Sequence, residues 1–215
     1  MRDGPEPHAP RITIGFAAAE RELAARLFWS AFQGKLWRLL APEASAIAFI
    51  SRALCPDYAI AARAGDGTLL GLAGFKTGSC GLLAGGPRDL ARVYGWPGAL
   101  WRAPLLALMT RRIGPGELLM DGIFVAEEAR GQGVGTALLS AIKAHAVAQG
   151  AHSVRLDVVD TNRRAQALYL REGFVPVGGE NLGLLRHVFG FRSTTRMVWY
   201  CDPERAGGRP ACRRV

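Results

Sequence analysis

Arg130-Gly131-Gln132-Gly133-Val134-Gly135 is the stretch on which the fold turns. It follows a strand-like apolar run, Leu118 to Val125, and opens an amphipathic segment, Thr136 to Ala148, that reads as a helix. Strand, glycine-rich turn and helix start, in that order, build an anion cradle. The N–H groups of a helix's first turn have no partner inside the helix, and the helix dipole adds positive potential there. Glycine lets the main chain turn sharply and lets a ligand approach closely. Arg130 adds a permanent charge suited to phosphate. The stretch reads as a grip for a pyrophosphate.

Working outward, the chain reads as alternating strands and helices. Arg11 to Phe16 is a strand, and Ala19 to Leu40 a helix with Leu23, Leu27, Ala31 and Trp37 on one face. Pro42-Glu43 starts a second helix to about Leu54. Tyr58–Arg63 and Thr68–Lys76 flank the tight turn Gly65-Asp66-Gly67 and form a hairpin. Residues 77–116 are too long for a plain loop and read as a helical insertion, Arg88–Tyr94 and Ala99–Arg112. Gly150 ends the helix that follows the glycine loop, Ser153 to Val159 is a strand, and Asn162 or Thr161 caps a short helix that Gly173 terminates. Phe174–Val177 is a brief strand and Arg192–Tyr200 the last one. The expectation is one α/β domain over residues 11–200, a mixed and mostly antiparallel sheet of about seven strands with helices on both faces. Residues 1–10 read as disordered and 201–215 as a basic tail.

The chain has 215 residues, 49% apolar and 21% charged, a balance suited to one well-buried core. No apolar run is long enough to span a bilayer, and the N-terminus lacks the shape of a secretory signal, so a cytoplasmic protein is expected with no membrane partner. Cys55, Cys80, Cys201 and Cys212 form no Cys-x-x-Cys pair and no histidine stands at metal spacing, so neither a metal site nor a disulfide framework is expected. The net charge of +9 is spread along the chain with no reading element for nucleic acid, and an acidic small ligand accounts for it as well. A homodimer is compatible with everything in the sequence.

Three ligands compete for the cradle. A Walker loop needs a lysine before its Ser or Thr, and Val134-Gly135-Thr136 has none. A dinucleotide loop joins strand directly to helix, whereas Ala126 to Arg130 intervene here; Asp157 does lie at the distance expected of the ribose-binding acid. The third is coenzyme A. Asp160-Thr161-Asn162-Arg163-Arg164-Ala165-Gln166-Ala167-Leu168-Tyr169-Leu170-Arg171-Glu172-Gly173-Phe174, taken with Phe124-Val125 and the loop, closely resembles the GNAT superfamily of acyl-CoA-dependent N-acyltransferases. The resemblance is specific over Leu118 to Phe174; residues 77–116 depart from the family's compact connection.

The resemblance implies acetyl-CoA as co-substrate, its pyrophosphate held by Arg130 and the main chain of Gly131, Gln132, Gly133, Val134, Gly135 and Thr136. It implies that Phe124 and Val125 pair through their backbone with the pantetheine arm, as an added strand would. Tyr169 matches the acid that protonates the departing thiolate, and its plain alternative is an aromatic anchor. Asn162 matches a residue that bonds the arm, and a helix N-cap serves equally well. Asp121 is the candidate general base, with orientation of the substrate as its alternative and Glu117 as a weaker candidate. Glu127 and Glu128 read as solvated, His145 and His152 as surface or packing residues. No cysteine sits in a nucleophile setting, so attack by the amine is expected to be direct. Phe28, Trp29, Phe32, Lys35 and Trp37 lie where relatives build acceptor pockets, and Phe75, Tyr94, Trp96 and Trp101 lie in or beside the insertion. A small-molecule amine is the expected acceptor; a protein N-terminus or lysine is the second reading, and a non-catalytic acyl-CoA sensor the third.

Overall fold

The computed structural model describes residues 9–201 except 79, 109, 182 and 184–189. The first eight residues and the tail beyond 201 lie outside the described residues, and with them the expected disorder of the one and the basic cluster of the other. In chain order the elements are β1 (Arg11–Ile14), α1 (Arg21–Leu40), α2 (Glu43–Ala53), β2 (Ala59–Arg63), β3 (Leu69–Thr77), β4 (Cys80–Gly81), α3 (Pro87–Leu108), β5 (Glu117–Val125), α4 (Val134–Ala148), β6 (Ser153–Val159), α5 (Arg163–Arg171), β7 (Val175–Asn181) and β8 (Ser193–Tyr200). The strands form one sheet in the order β1-β2-β3-β5-β6-β8-β7, with β4 beside the end of β3. Among the described strands only β5 and β6 run parallel, α4 making the crossover between them.

Alternation along the central strands feeds two cores. On β2, Ala59 and Ala61 face one helical layer, Ile60 and Ala62 the other. On β3, Leu72 belongs with α1, α2 and α3, whereas Ala73 and Phe75 pack under α4. Leu138, Leu139 and Ile142 of α4 are fully buried on that second face. Each such side chain contributes about 1.5–3 kcal/mol on leaving water.

Several sequence expectations need correction. The buried stripe of α1 is Ala24, Ala25, Phe28, Trp29, Leu36, Leu39 and Leu40; Leu23 and Trp37 face outward. Apolar residues occur on every side of this helix, so periodicity alone does not single out the packed side. α4 starts two residues earlier than Thr136, because Gly133 in the left-handed conformation caps it directly. β7 runs on to Asn181, paired along β8. Residues 77–116 hold β4 as well as the kinked helix α3, broken at Gly95 where φ is 69°. Tyr94 donates its hydroxyl to the Leu40 carbonyl (2.5 Å) and Arg102 donates to the Leu39 carbonyl (2.7 Å), so α3 is tied to the end of α1.

Candidate functional site

β5 and β6 pair over three residues only, Glu117 to Leu119 against Ser153 to Arg155. Beyond that both strands continue, β5 to Val125 and β6 to Val159, without bonding each other. The resulting gap is the floor of a groove of about 890 Å³ lined by Ile123, Val125, Arg130, Gly133, Asn162 and Tyr169. The register decides which main-chain groups face it. Ala126 N–H donates to the Leu70 carbonyl (2.8 Å), and Leu72 pairs with Phe124 one step along. Alternation then points the main chain of Phe124 toward β3 and that of Ile123 and Val125 into the gap. A Cβ on Gly71 of β3 would lie 2.8 Å from the Phe124 carbonyl oxygen, in agreement. Phe124 is therefore a core residue, buried at the edge of Phe28, and it is Ile123 rather than Phe124 that, with Val125, turns its main chain to the gap.

The glycine loop forms one end of the groove. Gly131 and Gly133 have φ of 82° and 80°, and a Cβ on either would meet nothing within 4 Å. Both line the groove. The first main-chain bond of α4 runs from Ala137 to the Gly133 carbonyl, so the N–H groups of Val134, Gly135 and Thr136 have no partner within the helix. The Val134 side chain is buried in the core, and a Cβ on Gly135 would sit 3.4 Å from Leu168, which makes α4 and α5 close neighbours. Gln132 turns its side chain back to the Glu128 carbonyl (2.7 Å), leaving only its main chain for a ligand. Arg130 leans over the loop, its Nε donating to the Val125 carbonyl (3.3 Å). A cradle of N–H groups that side chains would fill, joined to a row of unpaired strand amides, fits the pyrophosphate and amide arm of coenzyme A.

Asn162 caps α5, its Oδ1 accepting from the Ala165 N–H (3.1 Å), while it also lines the groove. Asn162→Ala is expected to cost about 1 kcal/mol of stability, read by denaturant unfolding.

Tyr169 is 7% exposed beside Phe174 and reaches the groove from α5. Burial pushes its phenol up to about 12. The folded protein therefore keeps this proton between pH 10 and 12, where the unfolded chain releases it. Stability falls as pH rises through that window, by up to about 3 kcal/mol for this group. In Tyr169→Phe, denaturant titrations at pH 9 and pH 12 are expected to differ by that much less than in the parent.

Asp121 occupies a bulge. Gly122 pairs with Gly74 and Met120 with Phe75, so Asp121 is the extra residue between them. Its side chain is exposed where it lines the groove. Crowding by the protein raises its pKa, against the pull of Lys76, the nearby Leu82 N–H and Arg111.

Asp121 also borders a second cavity of about 440 Å³, walled by Phe28, Phe49, Leu90 and Leu106 and carrying Lys35, Lys76 and Arg111. Lys35, Met120, Asp121 and Asp157 line both spaces, so the groove and the cavity meet there. Asp157 is no ribose ligand: its buried carboxylate is engaged by Arg111 (2.5 Å) and Arg196 (3.7 Å). Glu117 is likewise occupied, by Arg155 (2.9 Å). Of the aromatic residues considered for an acceptor pocket, Phe28 and Phe32 line the cavity. Trp29 and Phe75 are core, Tyr94 is spent on Leu40, and Trp37, Trp96 and Trp101 face outward. His145 packs its ring on Phe75 (4.6 Å). Lys35, Lys76 and Arg111 carry no motif; only packing brings them together.

Among the described residues, no helix is long and apolar enough to cross a membrane. No curated protein matches the chain. Solved structures do. An N-acetyltransferase from Staphylococcus aureus superposes with a TM-score of 0.59 at 15% identity, covering 88% of this chain and 100% of that one. A GCN5-related N-acetyltransferase from Kribbella flavida gives 0.59 at 20% identity, with 91% and 99% covered. A Corynebacterium glutamicum protein described as histone acetyltransferase HPA2 and related acetyltransferase gives 0.63 at 22%, with 88% and 95% covered. At such identities the likeness is one of fold, an α/β fold with a mixed, mostly antiparallel sheet. The family model "Acetyltransferase (GNAT) family" matches residues 24–174, from the second turn of α1 to the end of the Tyr169 helix. With that match spanning most of the sequence, the chain belongs to the GNAT family of N-acetyltransferases, which draw their acyl group from acyl-CoA.

Proposed function

We propose that this enzyme acylates the amine of a small molecule by direct attack, with donor and acceptor bound together. The observation that carries the reading is the meeting of two spaces at Asp121: a long groove with an anion cradle at one end, and a separate, apolar-walled cavity of about 440 Å³. That volume lies in the range of small-ligand sites.

The donor supplies an acyl carbon already activated as a thioester. Asp121 receives, directly or through water, the proton that an ammonium must lose before its nitrogen can attack. Its raised pKa makes it a better base than an ordinary aspartate. The Ile123 or Val125 N–H, unpaired on the β6 side, donates to the carbonyl oxygen as negative charge develops there. The new N–C bond forms, the C–S bond breaks, the nitrogen sheds its second proton to solvent, and Tyr169 gives its proton to the sulfur and regains one from solvent. A phenol held near 12 is a weak acid, but the cleft that raises it raises a thiol too, since both lose solvation of the anion.

Tyr169→Phe is expected to slow turnover roughly a hundredfold, at the low end for a general acid because a thiolate departs readily unaided. Affinity for CoA, read by calorimetry, should stay near that of the parent. Full activity in this variant would remove Tyr169 from the mechanism. The function itself is tested by following free thiol on mixing acetyl-CoA with a panel of small amines. Thiol released only with certain amines is expected; binding of CoA with no thiol released by any amine would favour a sensor.

A further inference from the structure

Charge in the acceptor cavity does not balance. Among the described residues, five ionisable side chains line it: Lys35, Lys76, Arg111, Asp121 and Asp157. Arg111 is paired with Asp157 (2.5 Å), and Lys76 is the leading positive influence on Asp121. Lys35 is left over. Its ammonium lies over the rings of Phe32 (5.4 Å) and Phe191 (5.6 Å) and makes no hydrogen bond or ion pair with the described residues. It stands where groove and cavity join, on the same rim as Asp121.

An ammonium drawn out of water between two aromatic rings costs free energy that the rings offset only in part. Burial and the charge of Arg111 pull its pKa down to about 8, and Asp157 only partly counters this. A group held at such a cost, facing a ligand space, is completed by an anion that arrives with the ligand. The apolar wall of Phe28, Phe49, Leu90 and Leu106 asks at the same time for a hydrocarbon body.

We propose that the acceptor is an amino acid with an apolar side chain, its carboxylate held by the Lys35 ammonium while its amine faces Asp121. This rests on the acyl-transfer reading above. The acceptor's carboxylate brings a negative charge to a cavity whose described lining carries three positive side chains against two negative ones. Lys35 touches substrate but moves no proton: it selects and positions.

Matched pairs test this: phenylalanine against phenethylamine, and leucine against 3-methylbutylamine, which differ only by the carboxylate. In the parent enzyme kcat/KM is expected to favour the amino acid of each pair roughly ten- to a hundredfold, the worth of one charge-assisted hydrogen bond. In Lys35→Gln that ratio should collapse toward one, through the KM of the amino acid, while Lys35→Arg retains most of it. Circular dichroism and CoA affinity confirm that each variant is folded. Equal rates within each parent pair would overturn the proposal and leave acyl transfer to amines standing. A Lys35→Gln variant that loses CoA affinity and keeps its acceptor ratio would assign the lysine to a donor phosphate and also overturn it. No thiol release with any amine would sink the acyl-transfer reading and this one together.

Discussion

Asp121→Asn is expected to lower kcat by roughly 10²- to 10⁴-fold, the usual worth of a positioned acid or base, with the affinity for acetyl-CoA unchanged. The amide keeps the shape of the side chain and its place in the β5 bulge, so the fold has little reason to respond. What it loses is the ability to accept a proton. The pH profile separates this role from mere orientation. A base works only when ionised, so kcat/KM falls as pH falls through its pKa. Crowding places that fall above the range of an ordinary aspartate, with Lys76, the Leu82 N–H and Arg111 limiting the shift. The acid limb should therefore be displaced upward in the parent and absent from the residual activity of Asp121→Asn. If the variant keeps the limb and loses only KM, Asp121 orients the acceptor and another group takes the proton.

Gly133→Val is expected to weaken CoA binding by roughly a hundredfold or more, since several charge-assisted bonds to phosphate are lost together. Two causes combine. Gly133 holds φ at 80°, a conformation that costs a side-chain-bearing residue about 1–2 kcal/mol. Gly133 lines the groove and its Cβ position is open, with nothing within 4 Å, so an isopropyl group there would compete with the phosphate for space. Gly67, in the hairpin turn, provides the control: its φ is 89° and its Cβ position is equally open, yet it is far from the groove along the chain and lines neither space. Gly67→Val should share the loss of stability, measured by denaturant unfolding, and keep CoA affinity. Matching losses of affinity in both variants would mean that strain, not the ligand's place, is at work.

The candidate donor cradle was legible in the sequence because its geometry is local. A glycine that caps a helix, the N–H groups behind it and an arginine in front stand within six consecutive residues, Arg130 to Gly135. The layered fold was legible for the same reason: β2, β3, β5 and β6 each show runs that periodicity can read. The finer placement was not. Whether Phe124 or Ile123 offers its main chain to the gap depends on the register with β3, and that register shifts at the Asp121 bulge. A bulge leaves no mark in a run such as Leu119-Met120-Asp121-Gly122-Ile123. β4 is too short to have a period at all.

The proposed acceptor cavity was the least legible, because it is assembled from distant segments. Lys35 comes from α1, Lys76 from β3, Arg111 from beyond α3 and Asp157 from β6. The resemblance placed Lys35 among the first-helix residues near an acceptor pocket, but its seat against Phe32 and Phe191 is visible only in the packing. Asp157 shows the reverse. Its distance from the glycines suited a ribose ligand, but arginines from three separate segments surround its carboxylate.

The central claim is that donor and acceptor occupy two joined spaces at once and react directly across Asp121. Initial rates measured with acetyl-CoA and an accepted amine varied together test it most directly. Double-reciprocal lines that intersect to the left of the rate axis are expected, as for a complex holding both substrates. Parallel lines, with an acyl group retained on the protein after acetyl-CoA alone, would contradict it.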